Sequence, residues 1–204
     1  MDLNMKKIIM TIGGSPRKDG YSAKMLKCFT ESLHELSVEH LVEIRHYDTF
    51  KCAFAPCTDC RACRKFEGCV NHDMDGFFRD FETADGIVIA TPIYNMSFPA
   101  PLKAVIDRMQ RYYNARFSLG KRPPIAKHRP VILLASAGDP NENGEIMKKQ
   151  LERVFTVTNC ALISADVCNG TDTSSLDDFP EPFTKTILGT SAGVLLEEIS
   201  ISIT

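Results

Sequence analysis

The chain has 204 residues, 44% of them hydrophobic and 25% charged, with a formal net charge of −2. That length suits one domain with a full core, and the near-neutral charge excludes a general polyanion binder, which carries a basic excess. No apolar run approaches the roughly 20 residues that span a bilayer, and the apolar strip in the first ten residues is too short for a signal-peptide core. The expectation is a cytoplasmic protein with a single domain, residues 1–204, that binds neither nucleic acid nor membrane. In that reducing compartment the glycosylation sequons at Asn95 and Asn169 carry no meaning. Its eight cysteines then suit metal or redox chemistry better than disulfides.

In chain order, residues 7–12 (Lys-Ile-Ile-Met-Thr-Ile) read as a buried strand that runs into a loop at Gly13-Gly14. Met25, Leu26, Phe29, Leu33 and Leu36 then recur at three- and four-residue steps, which predicts a helix from Ser22. Residues 41–47 alternate as a strand, and residues 73–83 carry Met74, Phe77, Phe78 and Phe81 at helical spacing. Further strands are expected over 86–90, 131–135 and 161–167. Helices are expected over 100–113, 142–157 and near 183–198, the last introduced by Pro180 and Pro182. Strands alternating with helices of this length imply a parallel sheet covered on both faces. Right-handed crossovers place the loops after the strands along one edge, where a ligand binds at the point of reversed strand order. Four unusual loops belong to that edge: 13–22, 48–72, 91–98 and 136–141.

The first of them, Gly13-Gly14-Ser15-Pro16-Arg17-Lys18-Asp19-Gly20-Tyr21-Ser22, leads from a strand into a helix. A helix amino terminus presents free N–H groups and partial positive charge to a phosphate, and Ser15, Ser22 and Arg17 add hydroxyl and guanidinium donors. The spacing is neither a Walker loop nor the dinucleotide G-x-G-x-x-G. It resembles the G-S-P-R-x-x-G-N-S loop of the NADPH-dependent FMN reductase family. Thr91-Pro92-Ile93-Tyr94-Asn95 is similar to that family's S/T-P-I-Y loop beside the flavin ring, and Pro101-Leu102-Lys103-Ala104-Val105-Ile106-Asp107-Arg108 follows it. Ala135-Ser136-Ala137-Gly138-Asp139 stands where the family has a small-residue loop. Tyr21 replaces the asparagine most common in the family. The resemblance implies a three-layer α/β flavodoxin-like fold with a five-stranded parallel sheet in the order 2-1-3-4-5. It also implies FMN bound by Ser15, Arg17, Tyr21, Ser22 and Ala23 at the phosphate, and by Pro92, Ile93, Tyr94, Asn95, Met96, Ser136, Ala137, Gly138 and Asp139 around the ring.

Half of the cysteines fall in Cys57-x2-Cys60-x2-Cys63-x5-Cys69, inside a cysteine-rich insertion at 52–72. The first three match the opening of a bacterial ferredoxin site, and the fourth lacks the following proline. Structural zinc prefers two separated pairs. Arg61, Arg64 and Lys65 between the cysteines favour thiolate. The residues alone leave an iron–sulfur cluster, zinc and free or oxidised thiols open. Within the family the spacing resembles the iron–sulfur flavoproteins, which implies a [4Fe–4S] cluster on Cys57, Cys60, Cys63 and Cys69. The same resemblance implies a homodimer or homotetramer in which one subunit's cluster approaches a neighbour's flavin. Cys28, Cys160 and Cys168 suit small buried hydrophobes, and Cys52 lies too far from Cys57 for the pattern. His34, His40, His46 and His128 look scattered and surface-compatible.

The expected function is an FMN-dependent oxidoreductase moving electrons between NAD(P)H or a ferredoxin-type donor, FMN and a cluster. The flavin does that chemistry, so no side chain is named as catalytic. The alternative is a non-catalytic electron carrier whose cysteine loop binds zinc or builds an oligomer interface.

Overall fold

A computed structural model describes residues 6–37, 42–174 and 183–201. The predicted elements at Leu41 and His40, the acidic pair Asp177-Asp178, and Pro180, Pro182 and Ile203 lie outside the described residues. Five strands form one sheet: β1 (Lys7–Gly13), β2 (Val42–Asp48), β3 (Gly86–Pro92), β4 (Arg129–Ser136) and β5 (Cys160–Cys168). Every neighbouring pair is parallel and the order is β2-β1-β3-β4-β5. The chain reverses its direction of winding between β1 and β3, the place where an open α/β sheet leaves a crevice.

The three inner strands are apolar at consecutive positions because both faces are covered. Met10, Ile12, Ile87, Ile89, Val131 and Leu133 point into one core with Phe77, Phe78, Leu102, Tyr112 and Leu151. Ile9, Val88, Ala90, Ile132 and Leu134 alternate to the other face. There they meet Met25, Phe29 and Leu33 of α1 (Tyr21–Leu36) and Ala192, Leu195 and Ile199 of the last helix. The remaining helices, α2 (Asp75–Thr83), α3 (Ala100–Arg108), α4 (Gln110–Phe117) and α5 (Glu145–Thr158), lie on the first face. The last stretch opens with a π-helical segment, Phe183–Leu188, and continues as α6 (Gly189–Ile201) against α1 and β4.

Two helices depart from the sequence expectation. Residues 100–113 are two segments instead of one, because the Met109 N–H bonds to the Ile106 carbonyl at 3.1 Å, a tighter i→i−3 turn that bends the axis. The helix expected from residue 142 starts at Glu145, since Gly144 takes a left-handed φ of 71°. The Glu142 carboxylate accepts from the Gly144 N–H at 2.7 Å, and the Asn143 side chain accepts from the Glu145 N–H at 3.1 Å.

Candidate active site

The carboxyl ends of β1, β3 and β4 bring three loops together. The Gly14 N–H donates to the Ala90 carbonyl at 2.8 Å and the Ile93 N–H to the Ser136 carbonyl at 2.8 Å, so each loop is fastened to the next strand. Gly14 has to be glycine: a Cβ there would stand 2.6 Å from Leu102 Cδ2 and 2.8 Å from Thr91 Oγ1. A cavity of about 240 Å³ opens among these loops, lined by Ser15, Arg17, Tyr21, Ser22, Pro92, Ile93, Tyr94, Ser136 and Gly138. The sequence motifs thus converge in space, although they lie as far apart as residues 15 and 138.

Within that cavity the polar groups are arranged in detail that the motifs do not show. No side chain caps the amino terminus of α1, which leaves the first-turn N–H groups facing a site lined by Ser15 and Arg17. The Arg17 N–H donates to Ser15 Oγ at 3.2 Å, folding the loop on itself. Ser22 is buried, and its hydroxyl shares a 2.8 Å hydrogen bond with the Ser136 hydroxyl. It therefore ties the phosphate loop to β4, and what it presents to a ligand is its backbone. Tyr21, the departure from the family loop, donates its hydroxyl to the Ser174 carbonyl at 2.8 Å. That bond draws the segment after β5 to the rim.

The other expected residues sit outside this cavity. Ala23 lines a neighbouring cleft of about 460 Å³ between α1 and β2. Asn95 and Met96 have φ of 50° and 61°, and Tyr94 and Ser97 exchange 2.9 Å backbone bonds across them. These are the features of a type I′ turn. The turn holds Tyr94 and Met96 exposed at 45% and 55% on the rim. Ala137 contributes backbone only, donating to the Cys168 carbonyl and accepting from Thr171. Asp139 accepts from the Asn141 N–H at 2.8 Å in its own turn. Thr171 and Asp172 complete the cavity wall and carry no sequence signal. A Cβ on Gly138 would lie 2.1 Å from the Asp172 carboxylate, so only glycine admits that side chain. His46, which reads as a surface residue, is half-buried in the cleft beside this site, its Nδ1 2.9 Å from the Thr11 hydroxyl. Burial lowers its imidazole from the ordinary value.

The cysteine loop leaves the same edge after β2 and folds along α3 and α4. Its only regular piece is a 3₁₀ turn, Ala62–Arg64. Asp59 and Arg61, on either side of Cys60, have left-handed φ of 48° and 61°, a strained conformation for non-glycine residues. Cys57, Cys60, Cys63 and Cys69 all line one cavity of about 120 Å³, whose opposite wall is Arg108, Gln110, Arg111 and Asn114. This cavity and the one among the three loops have no lining residue in common, so the cysteines stand on the helical flank and not in the ligand crevice. Among the described residues no three His, Cys, Asp or Glu side chains converge on the position of a single ion.

Cys52 is not on the cysteine cavity; burial, with Asp48 adding to it, raises its thiol above the usual value. Cys160 and Cys168 are buried as expected, while Cys28 is half-exposed. Arg108 is the residue that the motifs under-read. Leu102, Val105 and Arg108 form the buried stripe of α3, so an arginine occupies an apolar position in the pattern.

The model for NADPH-dependent FMN reductases matches residues 8–172. The chain belongs to that family. Among curated relatives, an iron–sulfur flavoprotein of Archaeoglobus fulgidus is 33% identical over 68% of this chain and 60% of its own length. One from Methanosarcina thermophila is 36% identical over 54% of this chain and 56% of its own. The chain thus matches somewhat over half the length of these relatives. Among solved structures, an FMN-dependent NADH-azoreductase of Bacillus anthracis in complex with FMN superposes with a TM-score of 0.63 at 18% identity, covering 94% of this chain and 99% of that one. An NAD(P)H:quinone oxidoreductase of Methanothermobacter marburgensis gives 0.63 at 19% identity, over 92% and 96%. Membership in the FMN reductase family accords with the sheet order and with the crevice at its switch point. Among the described residues no helix is long and apolar enough to cross a membrane.

Proposed function

We propose that this chain is an FMN-dependent oxidoreductase of the iron–sulfur flavoprotein kind. FMN would rest on Ser15, Arg17, Tyr21, Ser22 and Ala23 and against residues 92–96 and 136–139, and a [4Fe–4S] cluster on Cys57, Cys60, Cys63 and Cys69. The observation that carries the reading is the pair of separate cavities, one walled by the three family loops and the other by all four motif cysteines.

The residues present fit both groups. An uncapped helix amino terminus beside Arg17 supplies the donors a phosphate needs. A lone zinc draws its thiolates to about 2.3 Å from one point, whereas a four-iron cluster holds them apart around a filled volume; cysteines around a shared cavity suit the second. FMN, when bound, supplies two-electron exchange with a nicotinamide, and a cluster supplies one-electron transfer. The chain's own part is to bind and orient. Ser22 and Ser136 lock two loops together, the type I′ turn holds Tyr94 and Met96 at the rim, and Arg108 fixes the cysteine loop.

NAD(P)H or a ferredoxin-type protein would be the donor. A homodimer or homotetramer is the proposed assembly, because both sites expose apolar groups at their margins: Phe66 and Val70 on one, Tyr94 and Met96 on the other. The test is anaerobic purification, an ultraviolet–visible spectrum and elemental analysis for iron and zinc, with turnover of NAD(P)H in the presence of a quinone. Flavin bands with a cluster shoulder, several irons per chain and turnover are expected. Zinc in place of iron, or flavin reduced only by a protein donor, would replace this reading with the carrier alternative.

A further inference from the structure

Two buried polar residues, neither of them in a recognised metal motif, face the cysteine cavity from the helical side. Asn114 is 4% exposed and donates from Nδ2 to Cys63 Sγ at 3.0 Å. The side chain of Arg108 is 2% exposed. Its two terminal nitrogens reach the Ala55 carbonyl at 2.9 Å, Asp73 Oδ1 at 2.9 Å and the Asn71 carbonyl at 2.7 Å. These acceptors lie on both sides of the cysteine motif, so one guanidinium clamps the two ends of the loop. Its Nε is buried with no partner among the described residues.

An unpartnered Nε does not by itself single out Arg108. Arg129 has one too, yet that side chain bonds the Phe81, Glu82 and Thr158 carbonyls at the ends of α2 and α5. What distinguishes Arg108 is its place on the wall that holds the four cysteines. The bend at Met109 matters here. Residues six apart on a straight helix point about 120° away from each other, and the break between α3 and α4 lets both line one cavity.

We propose that Asn114 and Arg108 set the reduction potential of the cluster, Asn114 through its N–H···S bond to Cys63 and Arg108 through buried positive charge. This rests on the iron–sulfur reading above. An electron added to a thiolate-ligated cluster increases the negative charge on its sulfurs. A hydrogen bond to a ligand sulfur and a cation in a poorly solvated wall therefore stabilise the reduced form more than the oxidised one, and both raise the potential. Asp73, which pairs with Arg108, is 27% exposed and so better screened by water than its buried partner. Both residues act through the cysteines and are positioning residues.

The experiment compares wild type with Asn114→Leu and Arg108→Gln, purified anaerobically. Iron and sulfide are assayed first, and the cluster is then titrated with dithionite and mediators under electron paramagnetic resonance. Asn114→Leu, which keeps the volume and removes the donor, should retain iron. At the potential where wild type is half reduced, its ratio of reduced to oxidised cluster should fall about tenfold, equivalent to about 59 mV for a one-electron couple. Arg108→Gln should shift in the same direction; if it fails to load iron, Asn114→Leu alone decides the outcome. A fully loaded Asn114→Leu protein with an unchanged midpoint overturns the proposal, and so does loss of its iron, which would make Asn114 a loop-holding residue. Wild type without iron overturns the iron–sulfur reading as well, and the first assay tells these failures apart.

Discussion

The loops after β1, β3 and β4 and the long loop after β2 are held in place in opposite ways. The first group is short and tied to strand ends: Gly14 to Ala90, Ile93 to Ser136, Ser22 to Ser136. The sheet's own register, which pairs Pro92 with Ser136, positions it. The cysteine loop crosses residues 49–74 with one turn of 3₁₀ helix and takes its shape from outside, through Arg108 and Asn114. A site built on strand ends comes with the fold. A site built on a long loop needs clamps, because a segment with few internal hydrogen bonds has to offset its own ordering entropy.

The largest expected effect tests whether the two sites are independent. Cys60→Ser should lower bound iron by more than about tenfold while FMN stoichiometry and the far-ultraviolet circular dichroism spectrum stay unchanged, since the two cavities have no lining residue in common. Loss of flavin and fold together would show that the cysteine loop supports the sheet edge, and the contrast would fail. The converse perturbation is Arg17→Ala. A charge-assisted hydrogen bond contributes about 1.5–3 kcal/mol, so FMN affinity by fluorescence titration should weaken about tenfold or more, with iron content unaffected.

The smallest effect sharpens the picture of the flavin edge. His46 is half-buried against Thr11 and its imidazole is lowered by burial. The unfolded chain therefore takes up the proton first. Stability is fully present above about pH 6.5 and is lost as pH falls through the lower value of the folded state. His46→Gln keeps an acceptor for Thr11 and removes this loss. Wild type should drop by about 1–2 °C more in Tm than the variant between pH 7 and pH 5, as read by thermal melts of the apoprotein. Equal drops would place His46 in effectively aqueous surroundings.

Much of the sheet was legible because period and burial agree. Runs such as Ile87-Val88-Ile89-Ala90 and Val131-Ile132-Leu133-Leu134 are apolar at every position, which only a strand covered on both faces requires. The helix breaks were not legible: nothing in Ile106-Asp107-Arg108-Met109 marks a bend, since neither proline nor glycine stands there. Ser22 illustrates the limit for the site. Its place in the loop could be read, but its bond to Ser136, 114 residues away, depends on two strand ends meeting.

What the sequence by itself determined is therefore the set of strands, the loops that carry chemistry, and the spacing of Cys57, Cys60, Cys63 and Cys69, because these follow from local pattern and ligand geometry. Only the tertiary structure decided that the four cysteines lie on the flank, against α3 and α4, that Thr171 and Asp172 close the flavin-side cavity, and that Arg108 and Asn114 face the thiols. Those are contacts between residues remote in the chain. Long-range packing selects them, and no periodicity records it.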